Sequence, residues 1–213
     1  TQILLLLSVF GMLIASAVAI RQTDVKAVLA YSSIAQIGYI VLGLALASTL
    51  GLTAALLHLF NHALMKGALF MALACIAWRF GNTRVEQFRG LGRDMPWTMG
   101  AFVIGGLSLI GVPLTAGFIS KWYLVLAALE QGWWWLVLAI LVSSLMAAVY
   151  IWRIVEIAYF QHNDSRDRTR EVPLGLLIPT WTLVLANIWF GIDSSLTVGM
   201  AAQAAHALIG ATP

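Results

Sequence analysis

Residues 97–129 read WTMGAFVIGGLSLIGVPLTAGFISKWYLVLAAL, a stretch in which Lys121 is the single charge. At 1.5 Å per residue an unbroken helix of this length would run about 50 Å. That exceeds the roughly 30 Å hydrocarbon core of a bilayer. Pro113 has no N–H to offer the carbonyl near Leu109, and its ring clashes with the preceding turn. With Gly111 and Gly117 on either side, the pattern predicts a helix broken around Pro113 and Lys121 just beyond the break. In lipid, irregular backbone survives only where it is buried or lines a hydrated cavity. Discontinuous helices of this kind build the ion sites of many transporters. A proline kink kept for packing is the alternative.

Outward from that stretch the chain is apolar throughout. Of its 213 residues 61% are hydrophobic and 10% charged, and its mean hydropathy is +0.91. About a quarter of a soluble domain's residues are charged, so a free soluble enzyme is excluded. The apolar runs are continuous and do not alternate, which excludes a barrel. Candidate spans fall at 2–20, 27–50, 53–78, 97–129, 133–152 and 172–192. The reading is therefore an all-α membrane protein of about six transmembrane helices, one of them discontinuous. A kink is expected at Pro179, and the tail after Asp193 is read as a short interfacial helix. Cys75 stands alone, so neither an internal disulfide nor a thiolate metal cluster is expected. The first residues lack a basic n-region and are not read as a signal peptide. The chain instead reads as part of a longer polypeptide.

Ten of the twelve Lys and Arg residues fall in three loops on one side, at 21–26, 79–93 and 153–170. The net charge of +3 is thus a topology signal rather than a nucleic-acid surface. The positive-inside rule puts these loops in the cytoplasm and both ends of the chain outside. Trp133, Trp134 and Trp135 are expected at the outer interface.

The two remaining cations, Lys66 and Lys121, lie within spans. A central lysine costs about 2.5–3.5 kcal/mol on the insertion scale, so such residues normally face a bundle interior or a hydrated path. Bonding to a helix carbonyl for packing is the alternative. His58, His62 and Lys66 recur every four residues in HLFNHALMK, which places them in one stripe on a helix. Stacked along the membrane normal, these groups can pass a proton if water bridges the gaps. A haem site is not expected, because paired axial histidines would have to come from facing helices. Ser108, Thr115 and Ser120 could hold water at the break. Ser32, Ser33 and Gln36 read as interhelical hydrogen-bonding groups. Asp24 and Lys26 sit at the inner mouth of the second span, where Lys26 snorkels or admits protons. Glu156 is expected to pair with Arg153. Glu130, Asp193 and His162 read as surface residues, and His206 is given no role.

TDVKAVLAYSSIAQIGYI (23–40), HLFNHALMKGALF (58–70) and LSLIGVPLTAGFISKWYL (107–124), in that order, resemble the proton-conducting membrane transporter family. That family comprises the antiporter-like subunits of respiratory complex I, related hydrogenase subunits and the large subunits of Mrp-type antiporters. The forms GVPLTAGFISKWYL and REVPLGLLIPTWTLVLANIWFGID look most like the Mrp branch, among its large subunits. The resemblance implies a subunit of two inverted five-helix repeats, each with one broken helix, of which this chain matches the C-terminal half. Residues 1–160 would form the second repeat. Residues 161–213 would add a charged loop, a final span and an outer tail. Lys66, Lys121, His58, His62 and Lys26 match the family's proton-pathway positions, and Pro113 and Gly117 its helix break. The first repeat's glutamate–lysine pair has no counterpart here, so that half would come from the same or a separate chain.

The expected function is proton translocation in exchange for a monovalent cation, taken as Na⁺, by an Mrp-type antiporter. The alternative is a proton-pumping membrane subunit of complex I (NADH:quinone oxidoreductase) or of a hydrogenase, whose redox chemistry would sit on partners. No cofactor or metal motif is present. The expected partners are other membrane subunits and the lipid bilayer, and the expected location is a bacterial or archaeal cell membrane.

Overall fold

The computed structural model describes residues 2–161 and 170–210. His162, Arg166 and Arg168 lie outside the described residues. The helices are α1 (Gln2–Arg21), α2 (Val25–Ala45), α3 (Thr49–Phe80), the short α4 (Leu91–Asp94), α5 (Pro96–Ile110), α6 (Ala116–Glu130), α7 (Trp134–Phe160), α8 (Leu174–Ile192) and α9 (Ser195–Gly210). Five of these, α1, α2, α3, α7 and α8, are long and apolar enough to cross a bilayer. The sixth crossing is the pair α5 and α6, separated at residues 111–115 where the long apolar stretch was expected to break. Helix α8 runs through Pro179, and the tail is helical as α9.

Each helix begins and ends for a local reason. Asp24 caps α2 by accepting from the Lys26 N–H, and Ser48 caps α3 by accepting from the Gly51 N–H. Pro96 opens α5, where a missing N–H costs nothing. The Glu171 carboxylate then accepts from the N–H groups of Trp97 and Thr98 at 2.7 and 3.1 Å. At its other end α5 stops at Gly111, whose φ of +91° favours glycine.

Helices α2 and α3 form a hairpin tied at both ends. At the turn, a Cβ on Gly43 or Gly51 would come within 2.7 Å of the other's carbonyl, so only glycine allows this approach. At the basic end, a bridge joins Asp24 to Arg84, with Val25 N–H donating to Thr83 and Val85 N–H to Thr23, both at 2.9 Å. The basic loops gather there around an open cavity of about 720 Å³ lined by Asp24, Arg84, Glu86, Arg89 and Arg153. Arg153 donates to the carbonyls of Ile20 and Gln22 at 2.9 and 3.1 Å. That corrects the expected pairing with Glu156: carbonyls left free at the end of α1 take up the guanidinium instead. Trp134 and Trp135 open α7 and are exposed, as are Glu130, Asp193 and His206.

Two apolar clusters make the core. One, nearer the basic loops, includes Leu29, Leu69, Phe102 and Ile154. The other, nearer the opposite end, includes Met12, Leu42, Leu124 and Ile140. Between them along the helices fall the buried polar residues Ser16, Ser32, Gln36, His58, Ser120 and Ser143. The fold therefore holds a polar layer inside an apolar bundle.

Gly117 sets how closely α6 meets the end of α5, since a Cβ there would collide with the Ser108 carbonyl. Gly117→Val should destabilise the protein by about 1–3 kcal/mol, the usual cost of overpacking. The thermal unfolding midpoint in detergent would record it, and an unchanged midpoint would contradict this packing.

Candidate functional site

The break in α5–α6 leaves carbonyls without helical donors. Pro113 cannot bond Leu109 O, and Lys121 does so in its place. Its Nζ donates to Leu109 O and Ile110 O, each at 2.9 Å, and to Ser144 Oγ on α7 at 3.0 Å. The ammonium thus sits at the C-terminal, negative end of α5, where a cation is favoured. It also lies 4.8 Å from the centre of the Tyr39 ring. Lys121 is 6% exposed.

Lys66 is held in a similar way on the other side of the polar layer. Its Nζ donates to Leu29 O at 2.6 Å and to the Ser32 hydroxyl, both on α2, and lies 5.8 Å from the Phe70 ring centre. It too is 6% exposed. Both lysines bond helix carbonyls, as the packing alternative had it. Each also bonds a serine hydroxyl, an exchangeable O–H that carbonyl packing alone would not require.

Between the lysines lie the histidines of the predicted stripe. The His58 and His62 rings are parallel to within 9°, with centroids 6.4 Å apart. His58 is fixed by two contacts: Gln36 Oε1 at 3.0 Å from Nε2, and Ser120 Oγ at 2.8 Å from Nδ1. A glutamine carbonyl can only accept, so Nε2 carries the proton and Nδ1 accepts from the Ser120 hydroxyl. Ser120 precedes Lys121 in sequence, which ties the histidine stripe to the helix break. His62 Nε2 and Asn61 Oδ1 are buried without partners, although the other end of Asn61 donates to Ala116 O at 2.7 Å.

Two of the three hydroxyls expected to hold water at the break are otherwise engaged. Ser108 donates to Asn187 Oδ1 on α8 at 2.7 Å and accepts from the Gly117 N–H at 3.1 Å, and Thr115 donates to Val112 O. They hold the two half-helices to each other and to α8. Pro113 itself is exposed. Lys26 is exposed at the start of α2, and none of the hydrogen bonds around Lys66 reaches its side chain. Tyr39, Ser144, Asn61 and Asn187 were not anticipated. The polar spacing Ser32, Gln36, Tyr39 on one face of α2 was the available signal for the first.

Over residues 1–147 the sequence matches the family described as "NADH:quinone oxidoreductase/Mrp antiporter, TM". The chain belongs to that family. It is similar to NADH-quinone oxidoreductase subunit N of Desulforudis audaxviator (strain MP104C), at 44% identity over 204 residues covering 90% of this chain and 41% of the relative. A chain in the structure of the Mrp complex from Dietzia sp. DQ12-45-1b superposes with a TM-score of 0.93 at 26% identity, covering 99% of this chain and 48% of that one. A chain of the membrane-bound sulfane sulfur reductase (MBS), an archaeal respiratory membrane complex, superposes with a TM-score of 0.90 at 32% identity, covering 98% and 42%. This chain spans less than half the length of each of these relatives. It is an integral membrane protein with an antiporter-like fold. The expected leaning to the Mrp branch is not specifically favoured: Mrp and respiratory chains superpose comparably, and the 44% identical relative carries the subunit N name.

Replacing Gln36 by Leu would strand the His58 Nε2 proton. The expected cost is about 1–3 kcal/mol for an unpaired buried group. The ¹⁵N shifts of His58 should move as the tautomer changes, and shifts identical to the parent's would contradict this assignment.

Proposed function

We propose that this chain supplies the second-repeat half of a proton-translocating, antiporter-like membrane subunit of a NADH:quinone oxidoreductase-type complex. The observation that carries this reading is the pair of buried ammonium groups bracketing a parallel histidine pair inside a polar layer. Its 44% identity to a subunit N chain favours a respiratory complex. Protons pass between Lys66, His62 and His58, then through Ser120 and water to Lys121. A change of charge at one lysine alters the affinity of the next for its proton by Coulomb coupling in a low-dielectric interior. Lys26, exposed at the basic end, feeds the path from the cytoplasmic face.

Residues 1–160 act as the repeat, and the remainder supplies a loop, a span and a tail. The partners are other membrane subunits, including the half that carries the first repeat, and redox chemistry resides on them. The basic loops face the cytoplasm of a bacterial or archaeal cell, and both ends of this segment face outward. Exchange of H⁺ for Na⁺ is the second reading, favoured by the superposition on the Mrp chain.

Acidification of inverted vesicles carrying the assembled complex tests both readings. Lys66→Ala and Lys121→Ala should each slow proton movement roughly tenfold or more, equivalent to about 1.4 kcal/mol on the barrier. Lys26→Ala should have a smaller effect. Parental rates in both of the first two variants would end the proposal. Flux that follows electron transfer without Na⁺ supports the respiratory reading, and flux that requires a Na⁺ gradient supports the second.

A further inference from the structure

We infer that the Tyr150 hydroxyl holds water between the two lysines, forming a second link along the α2–α7 interface that bypasses the histidines. The inference rests on the proton-translocating reading above. Tyr150 is 1% exposed, yet its Oη has no hydrogen-bond partner. Leaving a buried hydroxyl unpaired costs about 1–3 kcal/mol, and buried polar groups almost always find a protein partner or an ordered water. The Tyr150 hydroxyl faces that of Ser32, which is the one bonded by Lys66 Nζ.

The other end of the same interface reaches Lys121. Tyr39 Oη donates to Ile140 O at 3.3 Å and lies 3.4 Å from Ser144 Oγ, with Ser143 alongside. Ser144 Oγ in turn accepts from Lys121 Nζ at 3.0 Å. The two helices run in opposite directions, so the register is easily read. Ser32 and Tyr39 are seven residues apart on α2, and they face Tyr150 and Ser143, seven apart on α7. Seven residues rise about 10.5 Å, nearly two turns, so each pair lies on one face of its helix. Midway stand Ala35 and Ala147, each 1% exposed. Methyl groups obstruct a file of water less than any larger side chain would.

Both faces therefore carry hydroxyls at their two levels and methyls between, with an unpaired hydroxyl at the Lys66 end. Such an interface is tight enough to block protons at rest. It conducts when water enters, a form of gating by wetting used at apolar constrictions elsewhere. Tyr150 offers the entering water its first hydrogen bond.

Tyr150→Phe removes one oxygen and keeps the ring, so it tests the hydroxyl alone. In the assembled complex, proton translocation should fall several-fold per complex while the partner-driven reaction continues, and the solvent deuterium isotope effect should change. Translocation at the parental rate, with Lys66→Ala still defective, would overturn this role and leave the function intact. A loss explained wholly by less assembled complex would also overturn it. Parental rates in Lys66→Ala as well would remove the function and this link together.

Discussion

The structure turns on one ammonium group at the negative end of a short helix inside an apolar bundle. Burying a lysine there costs about 2.5–3.5 kcal/mol on the insertion scale. A helix C-terminus returns up to about 2 kcal/mol in favourable partly buried geometry, and a hydrogen bond to a charged group about 1.5–3 kcal/mol. These terms are of similar size, so the bonds of Lys121 to Leu109 O, Ile110 O and Ser144 decide whether the charge stays. The same bonds close the α5–α6 break, replacing the donor that Pro113 lacks. Glu171 provides the opposite charge at the start of α5. A helix of 15 residues is thus held by a carboxylate at one end and an ammonium at the other.

The second lysine uses the same kinds of group in a different setting. Lys66 bonds a carbonyl within the continuous helix α2, where Leu29 O also accepts from the hydroxyls of Ser32 and Ser33. Each ammonium also faces an aromatic ring, and the Tyr39 ring is the nearer. Cation–π contacts add about 0.5–2 kcal/mol depending on desolvation. The two sites therefore differ in what frees their acceptors: a break in the backbone at one, crowding of an intact helix at the other.

Much of the fold was legible because lipid permits few solutions. Continuous apolar runs gave the spans, and length with Pro113 gave the break between α5 and α6. The histidine stripe followed from helical spacing, and Lys66 and Lys121 were conspicuous as charges with nowhere polar to go. What stayed hidden was which neighbour each group meets. Gln36 and Ser120 reach His58 from two different helices, and Asn187 reaches Ser108 across 79 residues of sequence. Glu171 lies just before α8 but caps α5. Arg153 preferred carbonyls at the end of α1 to Glu156, one turn away. Pairings of this kind depend on packing angles between helices, which residue spacing within one helix does not encode.

The hairpin of α2 and α3 is fastened at its turn by the glycine contact and at its far end by the bridge from Asp24 to Arg84. Fastened twice, it behaves as a single plank and resists rocking. Opening and closing by tilting one of these helices against the other would have to tear one fastening. Motion within this half of the machine is therefore confined to rotamers, solvation and the hinge at the α5–α6 interruption.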